Sequence, residues 1–145
     1  MNLTDQQIIE IADNLEAGLN CYFNLKTGEI KTILNFDSWQ GADEEPWEED
    51  INEIEENWSD YYQFDGMESH ESFRLMTDFV ESIDDQKLKN RLLNALIKRK
   101  PFQNFKYEID GSGEYRQQWF DYKKKHYIEW VKDQIDARNN YEEHL

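Results

Sequence analysis

In 145 residues the sequence holds one cysteine, two prolines, six glycines and only half as many basic as acidic side chains, 16 against 32. Lone Cys21 has no partner, which excludes a disulfide scaffold and a cysteine-based zinc cluster. The few glycines never fall at the spacing of a phosphate-cradling loop. His70, His126 and His144 lack the spacing of a metal-binding helix. No apolar run approaches the roughly 20 residues needed to span a bilayer. Residues 1–10 lack the basic start and apolar centre of a secretory leader, so a soluble cytoplasmic protein is expected. What the chain does have is aromatic weight, with five Trp, eight Tyr and eight Phe. Aromatics bury the largest area per residue, so the chain can build a core despite its polar average.

The charge of −16 is unevenly placed. Residues 1–72 carry 19 acidic and 2 basic side chains, whereas residues 73–145 carry 13 and 14. The first half therefore repels itself unless its carboxylates face water or meet cations, and it disfavours nucleic acid or anionic lipid.

Thr4 with Gln7 three residues on is a capping-box pattern, and Ile8, Ile9, Ile11, Ala12 and Leu15 follow at helical spacing until Gly18. Leu19, Cys21, Phe23 and Leu25 then alternate with polar residues, Lys26-Thr27-Gly28 makes a turn, and Glu29–Phe36 reads as a second strand. A loop is expected over Asp37–Glu45. From Pro46 the spacing predicts a helix, although Asp43–Glu56 has nine acids in 14 positions, because Trp47, Ile51, Ile54 and Trp58 form one helical stripe. Tyr61–Phe64 is a short third strand. The rest reads as helical. A helix capped by Ser69 or Ser72 carries Phe73, Met76, Phe79, Val80 and Ile83. A second begins at Asp84-Asp85, places Leu88, Leu92, Leu93, Leu96 and Ile97 on one face, and ends in Lys98-Arg99-Lys100 before Pro101. Phe102, Phe105, Tyr107 and Ile109 make a short aromatic helix or turn. A long helix from Glu114 to about Asn139 closes the pattern.

The run Glu71-Ser72-Phe73-Arg74-Leu75-Met76 through Asp78-Phe79-Val80-Glu81 resembles the uncharacterised protein family (UPF) 0158 of bacteria. So do Leu92-Leu93-Asn94-Ala95-Leu96, Arg99-Lys100-Pro101-Phe102, Phe105-Lys106 and Trp119-Phe120, and the early Cys21-Tyr22-Phe23-Asn24 hairpin with Thr27-Gly28-Glu29-Ile30. The resemblance runs from about Ile8 to Val131. One departure is Lys98, where the family commonly has glycine. The family carries no established activity, so the resemblance implies an identity and no catalytic residue.

Several patterns carry part of a chemical signature. Asp110-Gly111-Ser112-Gly113-Glu114 opens like a calcium loop, but its sixth position is Tyr115 and its twelfth Asp121, where the bend needs Gly and the ion a bidentate Glu. Glu29-Ile30-Lys31 has the Glu-x-Lys form of metal-dependent nucleases, yet the preceding strand offers only Asn20 and Asn24 in place of a further acid, and a solvent-facing pair flanking Ile30 is the plainer reading. Cys21 reads as a small core residue. The acidic helix, with Trp47, Glu48 and Glu55, is either a solvated face or a surface that docks the chain's own basic half or a basic partner; mimicry of nucleic acid is a rarer third case. Arg99, Lys100, Lys106 and the run Lys123-Lys124-Lys125-His126, interleaved with Phe102, Phe105, Tyr107, Trp119 and Tyr122, combine cations with aromatic planes, which suits single-stranded nucleic acid or phosphate. The competing reading is a bundle core with cations at helix ends.

These observations predict an α+β fold: an N-terminal helix and a small antiparallel β-hairpin or sheet, followed by an α-helical bundle. One domain is expected over 1–145, acidic over 1–66 and helical over 67–145. The expected function is a non-enzymatic interaction or regulatory module whose acidic surface meets a basic protein, with no cofactor, no metal and no membrane. The alternatives are a metal-dependent hydrolase or nuclease, and nucleic-acid binding through the second half.

Overall fold

The computed structural model describes residues 1–36 and 41–144. The fold is α+β, and the chain divides into two compact units. Met1–Gly66 and His126–Leu145 form the first, and Met67–Lys125 the second. Their charge is unequal. The first unit holds 22 acidic and 4 basic side chains, a net of −18, and the second 10 and 12, a net of +2.

In the first unit, helix α1 (Asp5–Glu16) starts at the expected capping box: the Gln7 amide donates to the Thr4 hydroxyl at 3.1 Å and the Thr4 amide to the Gln7 side chain at 2.9 Å. Gly18 stands just past its end at φ 87°, a conformation that glycine adopts without strain. Strand β1 (Leu19–Asn24) is the middle of a three-stranded antiparallel sheet, flanked by β2 (Ile30–Leu34) and β3 (Tyr61–Phe64). The hairpin is fixed by Asn24, whose side-chain oxygen accepts from the amides of Lys26 and Thr27 at 2.9 and 3.1 Å.

Cross-strand register sorts the residues onto two faces. Cys21 pairs with Thr32 and Phe64, and Phe23 with Ile30 and Tyr62. This face meets α1, and the Cys21 thiol points to the Ile11 carbonyl at 3.8 Å. Tyr22 pairs with Lys31 and Gln63 on the opposite face, where helix α2 (Glu48–Glu56) lies. Ile8, Ile11, Leu15, Cys21, Phe23 and Phe64 are buried, and each large apolar side chain contributes roughly 1.5–3 kcal/mol by leaving water. Residues from His126 onward supply Tyr127, Val131 and Ile135 to the buried set. They also close the end of β3. The Trp130 indole donates to the Asp65 carbonyl at 2.7 Å, and the Gln134 side chain both donates to that carbonyl and accepts from the Asp65 amide. Met1 and Asn139 exchange two further hydrogen bonds at 2.9 and 3.0 Å.

The second unit is helical: α3 (Ser69–Glu81), α4 (Gln86–Ile97), α5 (Pro101–Asp110) and the start of α6 (Glu114–Glu143). Phe79, Phe105 and Trp119 meet at its centre, with ring centroids 5.1 and 5.2 Å apart along the chain of contacts. Asp85 caps α4 by accepting from the Leu88 amide at 3.1 Å.

Several expectations change. The loop expected over Asp37–Glu45 falls in part on residues 37–40, which lie outside the described residues. Pro46 sits in a short 3₁₀ turn, Glu45–Trp47, and α2 begins only at Glu48 and ends at Glu56, so the expected stripe is cut short and Trp47 and Trp58 fall outside the helix. The cap of α3 is Glu68, not a serine; its amide donates to the Glu71 carboxylate at 3.2 Å. Leu93, Ile97 and Phe73, expected in the core, are exposed. The last helix continues past Asn139 to Glu143. Lys98 adopts an extended backbone that any residue tolerates, and the left-handed position is Lys100 at φ 62°.

Candidate functional site

On the sheet face opposite α1, the acidic segment folds into a helix whose nine residues include six carboxylates and no fully buried side chain. Two attachments hold it there. Lys31 of β2 places its ammonium 3.0 Å from Asp50 and 3.4 Å from Glu29, with only 16% of its side chain exposed. Its pKa is raised, chiefly by the hydrogen bond to Asp50 and against the opposing cost of burial. The Tyr61 hydroxyl of β3 donates to the Glu53 carboxylate, and burial first, then that carboxylate, raises its pKa. Lys31 was expected to face solvent; α2 covers it instead. Asp50 is also the further acid that the Glu-x-Lys pattern lacked, but it and Glu29 both spend an oxygen on the Lys31 ammonium.

Between α2 and the sheet runs an open groove of about 280 Å³. Ile33, Leu34 and Phe36 form one wall, Ile51 and Ile54 the other, and Tyr22 and Asn20 its floor, with Glu55 on the rim. Glu48, Glu49, Glu55 and Glu56 make no ion pair among the described residues, and all four are exposed. Glu55 stands at the rim and Glu48 lies on the same side of α2, whereas Glu49 and Glu56 fall on its far face. Apolar walls beside uncompensated carboxylates suit a ligand that is apolar at its tip and cationic beside it.

The remaining candidates separate. Trp47 is half-buried in the turn before α2, and Glu48 and Glu55 are exposed on the helix. In the second unit Arg99, Lys100 and Phe102 share the α4–α5 corner, all exposed. Lys106 is exposed but engaged, 2.9 Å from Asp110. That carboxylate also faces Arg116 at 3.3 Å, and its pKa is lowered first by the Lys106 hydrogen bond. Trp119, expected on a binding surface, is buried at 6% exposure between Phe79 and Phe105 and is removed from it. The aromatic-plus-basic pattern around it is a core ring with cations laid on neighbouring faces: Arg116 stands 4.6 Å from the Phe120 centroid and Lys123 5.5 Å from that of Trp119.

Among the described residues, the carboxylate and imidazole groups that converge closely enough for a metal ion are those of Glu68, His70 and Glu71. Glu71 is used by the α3 cap, and Glu68 pairs with His70 at 3.4 Å. Cys21 is buried, and burial pushes its thiol up to about 12, with Glu10 adding to the shift. A thiol so held is no nucleophile at neutral pH. The groove was missed by sequence reasoning because its walls come from β2 and α2, which no spacing rule joins; the Ile51–Ile54 pair was its one visible trace.

A family model described as an uncharacterised protein family, UPF0158, matches residues 5–144. The chain belongs to that family. It is similar to a UPF0158 protein of Pseudomonas aeruginosa, with 28% identity over 131 residues, covering 89% of this chain and 80% of that protein. No solved structure matches the chain. The family's description assigns no chemistry, so function has to be argued from the groove and the charge around it. Among the described residues, no helix is long and apolar enough to cross a membrane.

Proposed function

We propose that this UPF0158 protein is an interaction module whose acidic unit receives a cationic, apolar-tipped segment of a protein partner in the groove between α2 and the sheet. The observation that carries the reading is the pairing of apolar walls, Ile33, Ile51 and Ile54, with the unpaired Glu55 carboxylate on the rim and Glu48 one turn before Ile51 on the same side of α2. First-turn acids favour the helix dipole and Asp50 and Glu53 fasten α2, but Glu55 and Glu56 stand in the last turn, where negative charge is unfavourable and a cationic partner relieves it. The charge also steers such a partner and raises its rate of encounter.

The reading is tested with a fluorescently labelled amphipathic peptide of lysine and isoleucine, followed by anisotropy. Binding is expected in the micromolar range, weakening as salt is raised. Ile54→Lys and Glu55→Lys each remove it, while Lys132→Glu, on α6 and outside the groove lining, leaves it unchanged. Equal binding by wild type and Ile54→Lys refutes the groove as the site.

A further inference from the structure

The second unit carries a surface that answers the groove in both shape and charge. At the corner between α4 and α5, Ile97 is 83% exposed and Phe102 43%, with Leu93 exposed one turn earlier. Between them stand Lys98, Arg99 and Lys100, all exposed and without an ion pair among the described residues. The corner is held rigidly. The Asn104 side chain donates to the Arg99 carbonyl at 2.8 Å and to the Lys100 carbonyl at 3.2 Å, and Pro101 opens α5. Lys100 is kept left-handed at φ 62°, ψ 59°. A corner that needs no ordering on contact loses less entropy when it docks.

Resting on the groove reading above, we propose that the partner is a second copy of this chain, and that the Ile97–Phe102 corner of one copy enters the α2 groove of another. Ile97 or Phe102 supplies the apolar tip, and Lys98, Arg99 and Lys100 meet the carboxylates of Glu48 and Glu55. A groove of about 280 Å³ lies at the small end of ligand cavities and suits one or two side chains. The two units carry net charges of −18 and +2, so the second unit of one copy attracts the first unit of another although whole molecules repel. What favours a second copy over nucleic acid is that the chain itself supplies an apolar groove bordered by carboxylates for the exposed Ile97 and Phe102 to enter. The contact joins two different surfaces, so copies close reciprocally into a dimer or ring, or continue as an open chain.

Sedimentation velocity of the full chain tests this at concentrations up to about 100 µM. It is run in about 0.05 M and about 1 M salt, where the screening length falls to about 3 Å. Wild type is expected to associate at low salt and to dissociate at high salt. A triple variant reversed at the corner (Lys98→Glu, Arg99→Glu, Lys100→Glu) and a double variant reversed at the groove (Glu48→Lys, Glu55→Lys) should each self-associate at least roughly tenfold more weakly. Mixed one to one they should associate again, because every corner then meets a groove of opposite sign. Ile97→Asp, checked for an unchanged circular dichroism spectrum, should also be monomeric. Wild type that stays monomeric at low salt overturns the proposal, as do variants that associate like wild type. The lysine–isoleucine peptide separates the two readings. If it binds monomeric wild type and not the groove variant, self-association falls and the groove stands; if it binds neither, both fall. A single-stranded oligonucleotide shifted by wild type and not by the corner variant would assign the corner to nucleic acid and also overturn the proposal.

Discussion

Lys31→Met isolates what fastens the acidic helix to the sheet. The methionine keeps most of the apolar stem and removes the ammonium that stands 3.0 Å from Asp50 and 3.4 Å from Glu29. Both carboxylates are about half exposed, 43% and 58%, so water and salt screen each pair, and exposed pairs of this kind contribute roughly 0.2–1 kcal/mol. Two such pairs, together with the repulsion between Asp50 and Glu29 once the cation is gone, set the loss at about 1 kcal/mol. That corresponds to roughly fivefold faster opening of α2. Hydrogen exchange read by mass spectrometry should show faster exchange across Glu48–Glu56, with α1 and β1 nearly unchanged because their burial does not involve Lys31. The difference between variant and wild type should shrink in about 1 M salt. Its pH dependence has a definite sign. A lysine whose folded pKa is raised contributes stability that is fully present below its unfolded pKa, about 10.4, and is lost as pH climbs through the higher folded value. Tyr22, Tyr61 and Tyr62, also raised, lose stability above pH about 10 in both proteins, so only the variant-to-wild-type difference reports on Lys31. Unchanged exchange over α2, or a difference that grows with salt, would refute the assignment of Lys31 as the fastener.

Lys100→Gly relieves a left-handed backbone that costs a non-glycine residue roughly 1–2 kcal/mol, against the roughly 0.5–1 kcal/mol of extra chain entropy that glycine carries. Urea unfolding should therefore find it neutral or up to about 1 kcal/mol more stable, whereas Lys100→Val should be destabilised; equal losses for both would show that φ does not matter there. Cys21 should resist a disulfide reagent at pH 8 in the native protein and react fully in urea, because its thiol is buried and raised to about 12; rapid native labelling would contradict both.

Where local chemistry decides, residues announced the structure. Thr4 with Gln7, Asp85, Gly18 and the alternation through Cys21 and Phe23 each act within a few positions, and each stands as the pattern required. Periodicity is coarser. Leu92 and Leu96 differ from Leu93 and Ile97 by one step of about 100° around α4, and only the packing of α3 and α5 decides which pair is covered. Serine outranks glutamate as a helix cap, so Glu68 was hidden behind Ser69 and Ser72. Tryptophan beside cations reads alike in a core and on a surface, and Trp119 is settled by Phe79 and Phe105 from other helices. Lys31 and Asp50 are 19 positions apart and meet only because α2 lies across the sheet.

The bonds from Trp130, Gln134 and Asn139 to Asp65 and Met1 bear on the order in which the protein is made. The ribosome delivers residues 1–66 first, but the unit they belong to is completed by Tyr127, Val131 and Ile135. The helical stretch 67–125 is contiguous and can pack as soon as it emerges, so the inner part of the chain matures before the outer part. Until the last helix is released, the apolar face of the sheet and α1 stays incompletely covered in a nascent chain. The heavy negative charge of those same 66 residues then keeps unfinished copies on neighbouring ribosomes apart.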